Sequence, residues 1–146
     1  MNSALRSHSR RAHSRHELNE KLKRKLYATP ELVEAVLERL LELGLLNDEQ
    51  YTENFLRSKL RMKPQGFRKM VQTLKNKGLS HEEARTAWNK LELSEESLAE
   101  EALQKLQKKW LNLPQEKRKE KIMRALFARG FSSDLIYKLA RNREIF

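Results

Sequence analysis

Apolar residues recur along this chain at intervals of three and four. Leu18, Leu22 and Leu26 fall every fourth residue. So do Leu32, Val36 and Leu40, with Val33 and Leu37 widening the stripe. Tyr51 and Phe55 start the next stripe, and Met70, Val71 and Leu74 the one after. Ala99, Ala102, Leu103, Leu106 and Trp110 follow, then Ile122, Met123 and Leu126. This spacing puts one apolar face on each of a series of helices, and no segment alternates with the period of a strand. The pattern predicts an all-α chain of about nine short helices, near 3–12, 14–26, 30–43, 47–62, 65–77, 81–91, 95–111, 115–128 and 133–141. Helices this short are not stable in isolation, so each must bury its stripe against a neighbour.

Polar residues and glycines punctuate the stripes. Thr29 followed by Pro30 reads as an N-cap with proline at the first helical position. Ser14 with Glu17, Asn47 with Gln50, and Ser80 with Glu83 have the spacing of a capping box. Gly44, Gly78 and Gly130 each close an apolar segment, as a glycine in the left-handed conformation does at a helix C-terminus.

Two stretches are near copies. "LKNKGLSHEEA" (74–84) and "LFARGFSSDLI" (126–136) share a leucine, a basic residue, a glycine, an apolar residue and a serine at a constant offset of 52 residues. Met70 falls on Ile122, Leu74 on Leu126 and Ala84 on Ile136. The echo extends backwards, since Ser14, Leu18 and Leu22 lie 52 residues before Gly66, Met70 and Leu74. The chain therefore reads as three tandem three-helix repeats over 1–46, 47–93 and 94–146. The duplicated phrase is the turn between the second and third helix of a repeat, and Ser80 and Ser132 cap the third helix. An array of this kind is expected to be elongated and curved, with an extended binding surface.

Charge adds a partner class to that shape. The 146 residues carry 31 basic and 20 acidic side chains, a net charge of +11, and the pI is about 10.0. The excess suits a polyanion or an acidic protein surface, set against the plainer reading of a solvated, solubilising face. It is banded: segments 1–29, 51–79 and 102–146 are net basic, and segments 30–50 and 80–101 net acidic. Cysteine is absent, as suits a reducing compartment. There is no apolar run of membrane-spanning length, and the basic start "MNSALRSHSRRAHSR" has no apolar signal core. A soluble, cytoplasmic protein is expected.

Catalytic constellations are missing. The chain has no P-loop, no GxGxxG and no GxSxG. His8, His13, His16 and His81 lack ligand-spaced partners and are read as solvated surface, not as metal ligands. The acid pairs Glu82–Glu83, Glu95–Glu96 and Glu100–Glu101 are read as first-turn carboxylates favoured by the helix dipole. Trp88, Trp110, Tyr51 and Phe55 are read as core, and Phe67 is left between core and surface. Neither catalytic residues, metal nor cofactor are expected.

The ordered motifs resemble those of the RecX family, regulators of the RecA recombinase. "RAHSRHELNEKL" (11–22) is similar to the family's opening segment through Arg11, Ser14, Glu17, Leu18, Lys21 and Leu22. "LLELGLLNDEQYTENFLRSK" (40–59) resembles the next through Asp48, Tyr51, Phe55 and Arg57. "GFRKMVQTLKNKGLS" (66–80) resembles the glycine-led helix, and "FARGFSSDLI" (127–136) the terminal signature through Arg129, Gly130 and Phe131. The chain departs from the family at Pro64, Phe67 and Thr73, where glycine, proline and glutamate are common, and in the polar stretch "ALRSHSRR" (4–11).

The resemblance implies a bacterial, non-enzymatic, monomeric regulator. Its partners would be RecA and the RecA–single-stranded DNA filament, whose ATPase, strand exchange and co-protease activity it would inhibit in DNA repair and the SOS response. On that reading Arg57, Arg61, Arg68, Lys69, Lys75 and Lys77 form the electrostatic contact surface, extended by Lys108, Lys109 and Arg124. Weak, nonspecific binding to nucleic acid is expected beside it. The competing readings are a basic helical protein acting directly on DNA, and a helical scaffold for another acidic protein.

Overall fold

The computed structural model describes residues 13–25 and 29–142. The described residues form eight α-helices and no strand: α1 (Arg15–Lys23), α2 (Pro30–Glu42), α3 (Asp48–Met62), α4 (Phe67–Lys75), α5 (His81–Lys90), α6 (Glu95–Lys109), α7 (Gln115–Ala128) and α8 (Ser133–Asn142). The helix expected over 3–12 lies outside the described residues, as do His8 and Leu26. The other eight expected helices are present.

The apolar stripes close three separate cores. Leu18 and Leu22 of α1 pack on Val33, Val36, Leu37 and Leu40 of α2, with Leu46 beneath. Leu56 and Leu60 of α3, Met70 and Leu74 of α4, and Ala84, Ala87 and Trp88 of α5 form the second. Leu103 and Leu106 of α6, Ile122 and Leu126 of α7, Phe131, and Ile136 and Leu139 of α8 form the third. Leu98 touches both the second and the third. The helices accordingly group as α1–α2, α3–α5 and α6–α8, three all-helical units in series.

Several expectations need correction. Glu100 and Glu101 lie in the second turn of α6, not in a first turn, because the helix starts at Glu95. Leu32 is exposed, because the buried stripe of α2 runs one position further on, through Val33, Val36, Leu37 and Leu40. His13 is 5% exposed, not solvated. Phe67 resolves as core, with its ring edge-on to Trp88 at 5.2 Å.

The helix ends are made as the punctuation foretold. Thr29, Asn47 and Ser80 each accept a hydrogen bond from the backbone N–H three residues on, and the Ser80–Glu83 capping box closes in both directions. Leu45, Leu79 and Phe131 return their N–H groups to the carbonyls of Leu40, Leu74 and Leu126, around glycines at φ +70°, +80° and +89°. This is the Schellman motif; it follows α4 and α7, the second helices of the second and third units, and α2, the last helix of the first. A fourth such turn, Leu93 N–H to Trp88 C=O, carries Glu92 at φ +53°. Glutamate gave no sign of it in the sequence.

The units meet at two equivalent joints. At the first, the Ser14 hydroxyl donates to the Lys77 carbonyl at 3.0 Å, and the Arg15 N–H donates to the Asp48 carboxylate at 2.8 Å. At the second, the Gly66 N–H donates to the Arg129 carbonyl at 2.8 Å, and the Phe67 N–H donates to the Glu95 carboxylate at 2.8 Å. Residues 14 and 66, and residues 77 and 129, are each related by the 52-residue offset. Thus the N-terminus of each second helix sits on the glycine turn that ends the second helix of the next unit. At the second joint an orphan N–H and an orphan carbonyl satisfy each other directly; at the first the carbonyl takes the Ser14 hydroxyl and the N–H takes the Asp48 carboxylate.

Glycine permits this approach. A Cβ on Gly66 would lie 2.3 Å from the Gly130 carbonyl oxygen, and one on Gly130 would lie 2.5 Å from the Lys69 backbone nitrogen. Across the second unit, Lys90 joins α5 to α3 by ion pairs to Glu49 (3.1 Å) and the buried Glu53 (2.9 Å). Those two carboxylates hold the Lys90 ammonium above its ordinary pKa of 10.5. The stabilisation it lends is therefore present at neutral pH and is lost as pH rises beyond that value.

Two substitutions check these features. Gly66→Ala has an ordinary φ of −83° and no room, so it should uncouple the second and third units and broaden urea unfolding into separate transitions. Gly44→Ala, which meets nothing within 4 Å, should cost only the left-handed strain of about 1 kcal/mol. Glu92→Gly should relieve that same strain and stabilise the chain by about 0.5–1 kcal/mol in the same measurement.

Candidate partner-binding surface

The nine cations singled out from the sequence do not gather at one place. Arg57 and Arg61 lie one turn apart on α3, both exposed. Arg68 and Lys69 stand in the first turn of α4, and Lys75 ends it, about 10 Å further along. Lys108 and Lys109 close α6, and Arg124 is on the exposed side of α7.

Two of the nine are occupied by the joints. Arg68 donates to the Phe127 carbonyl at 2.9 Å and lies 4.8 Å from the centre of its ring, bracing the second unit on the third. Lys77 is within 3.2 Å of the Glu17 carboxylate and 5.4 Å from the centre of the Phe55 ring. The same carboxylate accepts from the Tyr51 hydroxyl. Glu17 therefore faces the second unit and is not turned back onto its own helix end, so the capping box expected at Ser14 is only half made: Ser14 accepts from the Glu17 N–H. Arg124 pairs with Glu120 one turn away, and Lys109 lies 5.2 Å from the centre of the Trp110 ring. Arg57, Arg61, Lys69, Lys75 and Lys108 are exposed and form no ion pair among the described residues.

Acidic side chains are distributed differently. Asp48 and Glu95 accept joint N–H groups, Glu17 holds Lys77, and Glu49 and Glu53 hold Lys90. Glu34 pairs with Arg15, and Glu96 with Lys138. Internal contacts thus draw in much of the negative charge and leave a basic surplus facing solvent. The sequence reading assigned Glu95 to the dipole of its own helix and missed its role as a cap for α4. The available signal was an acid at the first position of the leading helix in both the second and third units.

Phe127 and Tyr137 were also missed. Each follows a buried stripe residue by one position (Leu126 and Ile136), which carries it off the core face. They line a groove of about 360 Å³ between α7 and α8 with Met123, Arg124 and Ile136. Nearby, Arg129 lends its carbonyl to the joint while burial lowers the pKa of its guanidinium. Among the described residues no group of three or more His, Cys, Asp or Glu could hold a metal ion. No described helix is long and apolar enough to cross a membrane.

The first joint has a direct test. Glu17→Ala deprives both Tyr51 and Lys77 of a partly buried acceptor and should cost about 2 kcal/mol in chemical denaturation. Glu20→Ala, which removes only an exposed pair with Lys23 on the same helix, should stay within about 0.5 kcal/mol of the parent.

Comparison with known proteins places this arrangement. Residues 1–40, 47–87 and 94–139 match the family models of the first, second and third three-helix domains of RecX. The chain is 39% identical over 126 residues to the regulatory protein RecX of Prosthecochloris aestuarii, covering 86% of this chain and 81% of that one. It is 33% identical over 138 residues to the regulatory protein RecX of Pseudomonas fluorescens, covering 94% and 86%. Its fold is similar to the crystal structure of RecX from Lactobacillus salivarius, with a TM-score of 0.83 and 22% identity over 99% of this chain and 94% of that one. A second crystal structure of a regulatory protein RecX gives a TM-score of 0.80 at 23% identity, over 97% and 70%. Three serial three-helix units, matched in order by sequence and by fold, establish that this chain belongs to the RecX family of regulatory proteins.

Proposed function

We propose that this protein is a non-enzymatic regulator that binds RecA and RecA–single-stranded DNA filaments. It inhibits their ATPase, recombinase and co-protease activities and so modulates DNA repair and the SOS response. It acts as a monomer in the bacterial cytoplasm, with its three units divided after residues 46 and 93. The observation that carries this reading is the exposed, unpaired basic surface of the middle unit, Arg57, Arg61 and Lys75. It sits in a serial array in which Glu17, Asp48, Glu49, Glu53 and Glu95 are engaged in contacts between helices. Cations held on folded helices lose less entropy on meeting acidic or phosphate groups than cations on a disordered chain. Lys69 and Lys108 extend the surface, Lys109 and Arg124 flank it, and Arg68 and Lys77 serve first as joint residues and only secondarily as contacts.

Arg57→Glu with Arg61→Glu should weaken binding to a RecA–single-stranded DNA filament at least tenfold and lift inhibition of its DNA-dependent ATPase. The melting temperature should stay within about 2 °C of the parent, since neither residue supports a joint or a core. An unchanged ATPase profile would remove these two residues from the contact surface. Full ATPase activity at excess of the parent protein would remove the regulator reading itself.

A further inference from the structure

The groove between α7 and α8 has the makings of a nucleobase-stacking site. Among the aromatic residues the structure describes, Phe127 and Tyr137 alone are large exposed hydrophobics, at 51% and 57%. Both lie in this one groove. Its floor is already sealed, Ile136 being 3% exposed. What it offers a ligand is therefore ring surface and not an aliphatic socket. The groove continues past Met123 and Tyr137 into a second hollow of about 460 Å³ bordered by Lys119, Arg141, Asp134 and Ala140.

The fold does not require aromatic rings at these two places. At the 52-residue offset the equivalents of Phe127 and Tyr137 are Lys75 and Arg85, both exposed. A polar side chain satisfies the same backbone position in the middle unit. In the third unit two half-exposed rings stand there instead, Phe127 already under the Arg68 guanidinium, and they stand among cations. The segment from α7 to α8 carries eight basic and three acidic residues. Arg68 approaches Phe127 from the second unit, and Arg124, Lys119 and Arg141 line the groove.

We infer that the α7–α8 groove binds single-stranded nucleic acid directly, with bases stacking on Tyr137 and Phe127 and the backbone held by Lys119, Arg124 and Arg141. Exposed rings interleaved with cations are the recognition chemistry of unpaired strands, because every base has a π-face and every nucleotide a phosphate. A duplex hides its base faces and offers the groove phosphates alone. An acidic protein segment would use the cations but would leave the two rings without a matching surface. The site does not depend on the filament reading, since it needs no recombinase.

The test uses the full chain and a fluorescein-labelled oligothymidylate of about 20 nucleotides, read by fluorescence anisotropy at several salt concentrations. Tyr137→Ala should weaken binding roughly 5- to 150-fold, the equivalent of about 1–3 kcal/mol per stacked base. It should leave the slope of log affinity against log salt unchanged, because no charge is lost. Tyr137→Phe keeps the ring and should bind within twofold of the parent. Lys119→Ala with Arg141→Ala should flatten the slope by up to about 1.4. The unlabelled oligothymidylate should compete far better than a hairpin duplex of equal length. Equal affinity for the duplex, unchanged binding by Tyr137→Ala, or an equal loss in Tyr137→Phe would each overturn the proposal. So would the absence of saturable binding at low salt, which would leave the groove to an apolar protein segment. Inhibition of RecA ATPase is measured apart from this assay, so either reading can fail alone.

Discussion

The architecture depends on an end-to-end contact between helices of successive units. The first N–H groups of α1 and α4 have no partner within their own helices, and the last carbonyls after α4 and α7 have none either. Placing one helix end on the other pairs the Gly66 N–H with the Arg129 carbonyl, and at the first joint gives the Lys77 carbonyl the Ser14 hydroxyl as its donor. An acid from the leading helix of the next unit, Asp48 or Glu95, takes the adjoining N–H. Positive helix ends thereby meet carbonyls and carboxylates, the arrangement the helix dipole favours. Each unit buries only its own small core, and a core of that size is marginal alone. The joints turn three marginal units into one array.

The two joints are built from different materials. The second brings backbone onto backbone through Gly66 and Gly130, and Leu98 ties the adjoining cores together. The first has a glycine approach too, His16 lying against Gly78, but its polar contacts are made by side chains: the Ser14 hydroxyl, and the Glu17 carboxylate shared by Tyr51 and Lys77. A contact made by charges near solvent is weakened by salt, whereas one made by close-packed backbone is not. Ionic strength therefore acts on the first joint more than on the second.

Charge and shape are coupled through the same contacts. The net charge of +11 states how many cations exceed anions, not where they point. In the folded chain Asp48 and Glu95 face joint N–H groups, and Glu49 and Glu53 hold Lys90. Arg57, Arg61 and Lys75 are exposed and form no ion pair among the described residues. The acidic bands of the sequence, 30–50 and 80–101, are in part the adhesive of the array. The basic bands supply much of its outward face.

The sequence by itself determined the helices, their caps and their repetition. Those features are local: a stripe at helical spacing, a serine or asparagine before it and a glycine after it act within one or two turns. The 52-residue echo made the units visible because equivalent places in a repeat need equivalent residues. What only the tertiary structure decided was which polar groups meet across units. Glu17 and Glu95 had plausible local partners, yet both bond to groups at least 28 residues away. Arg68 and Lys77 read as surface cations and became braces. Phe127 and Tyr137 were indistinguishable from core aromatics until the helices were oriented. Burial of a side chain one position off a stripe is fixed by the neighbour that packs there, and local sequence carries no record of that neighbour.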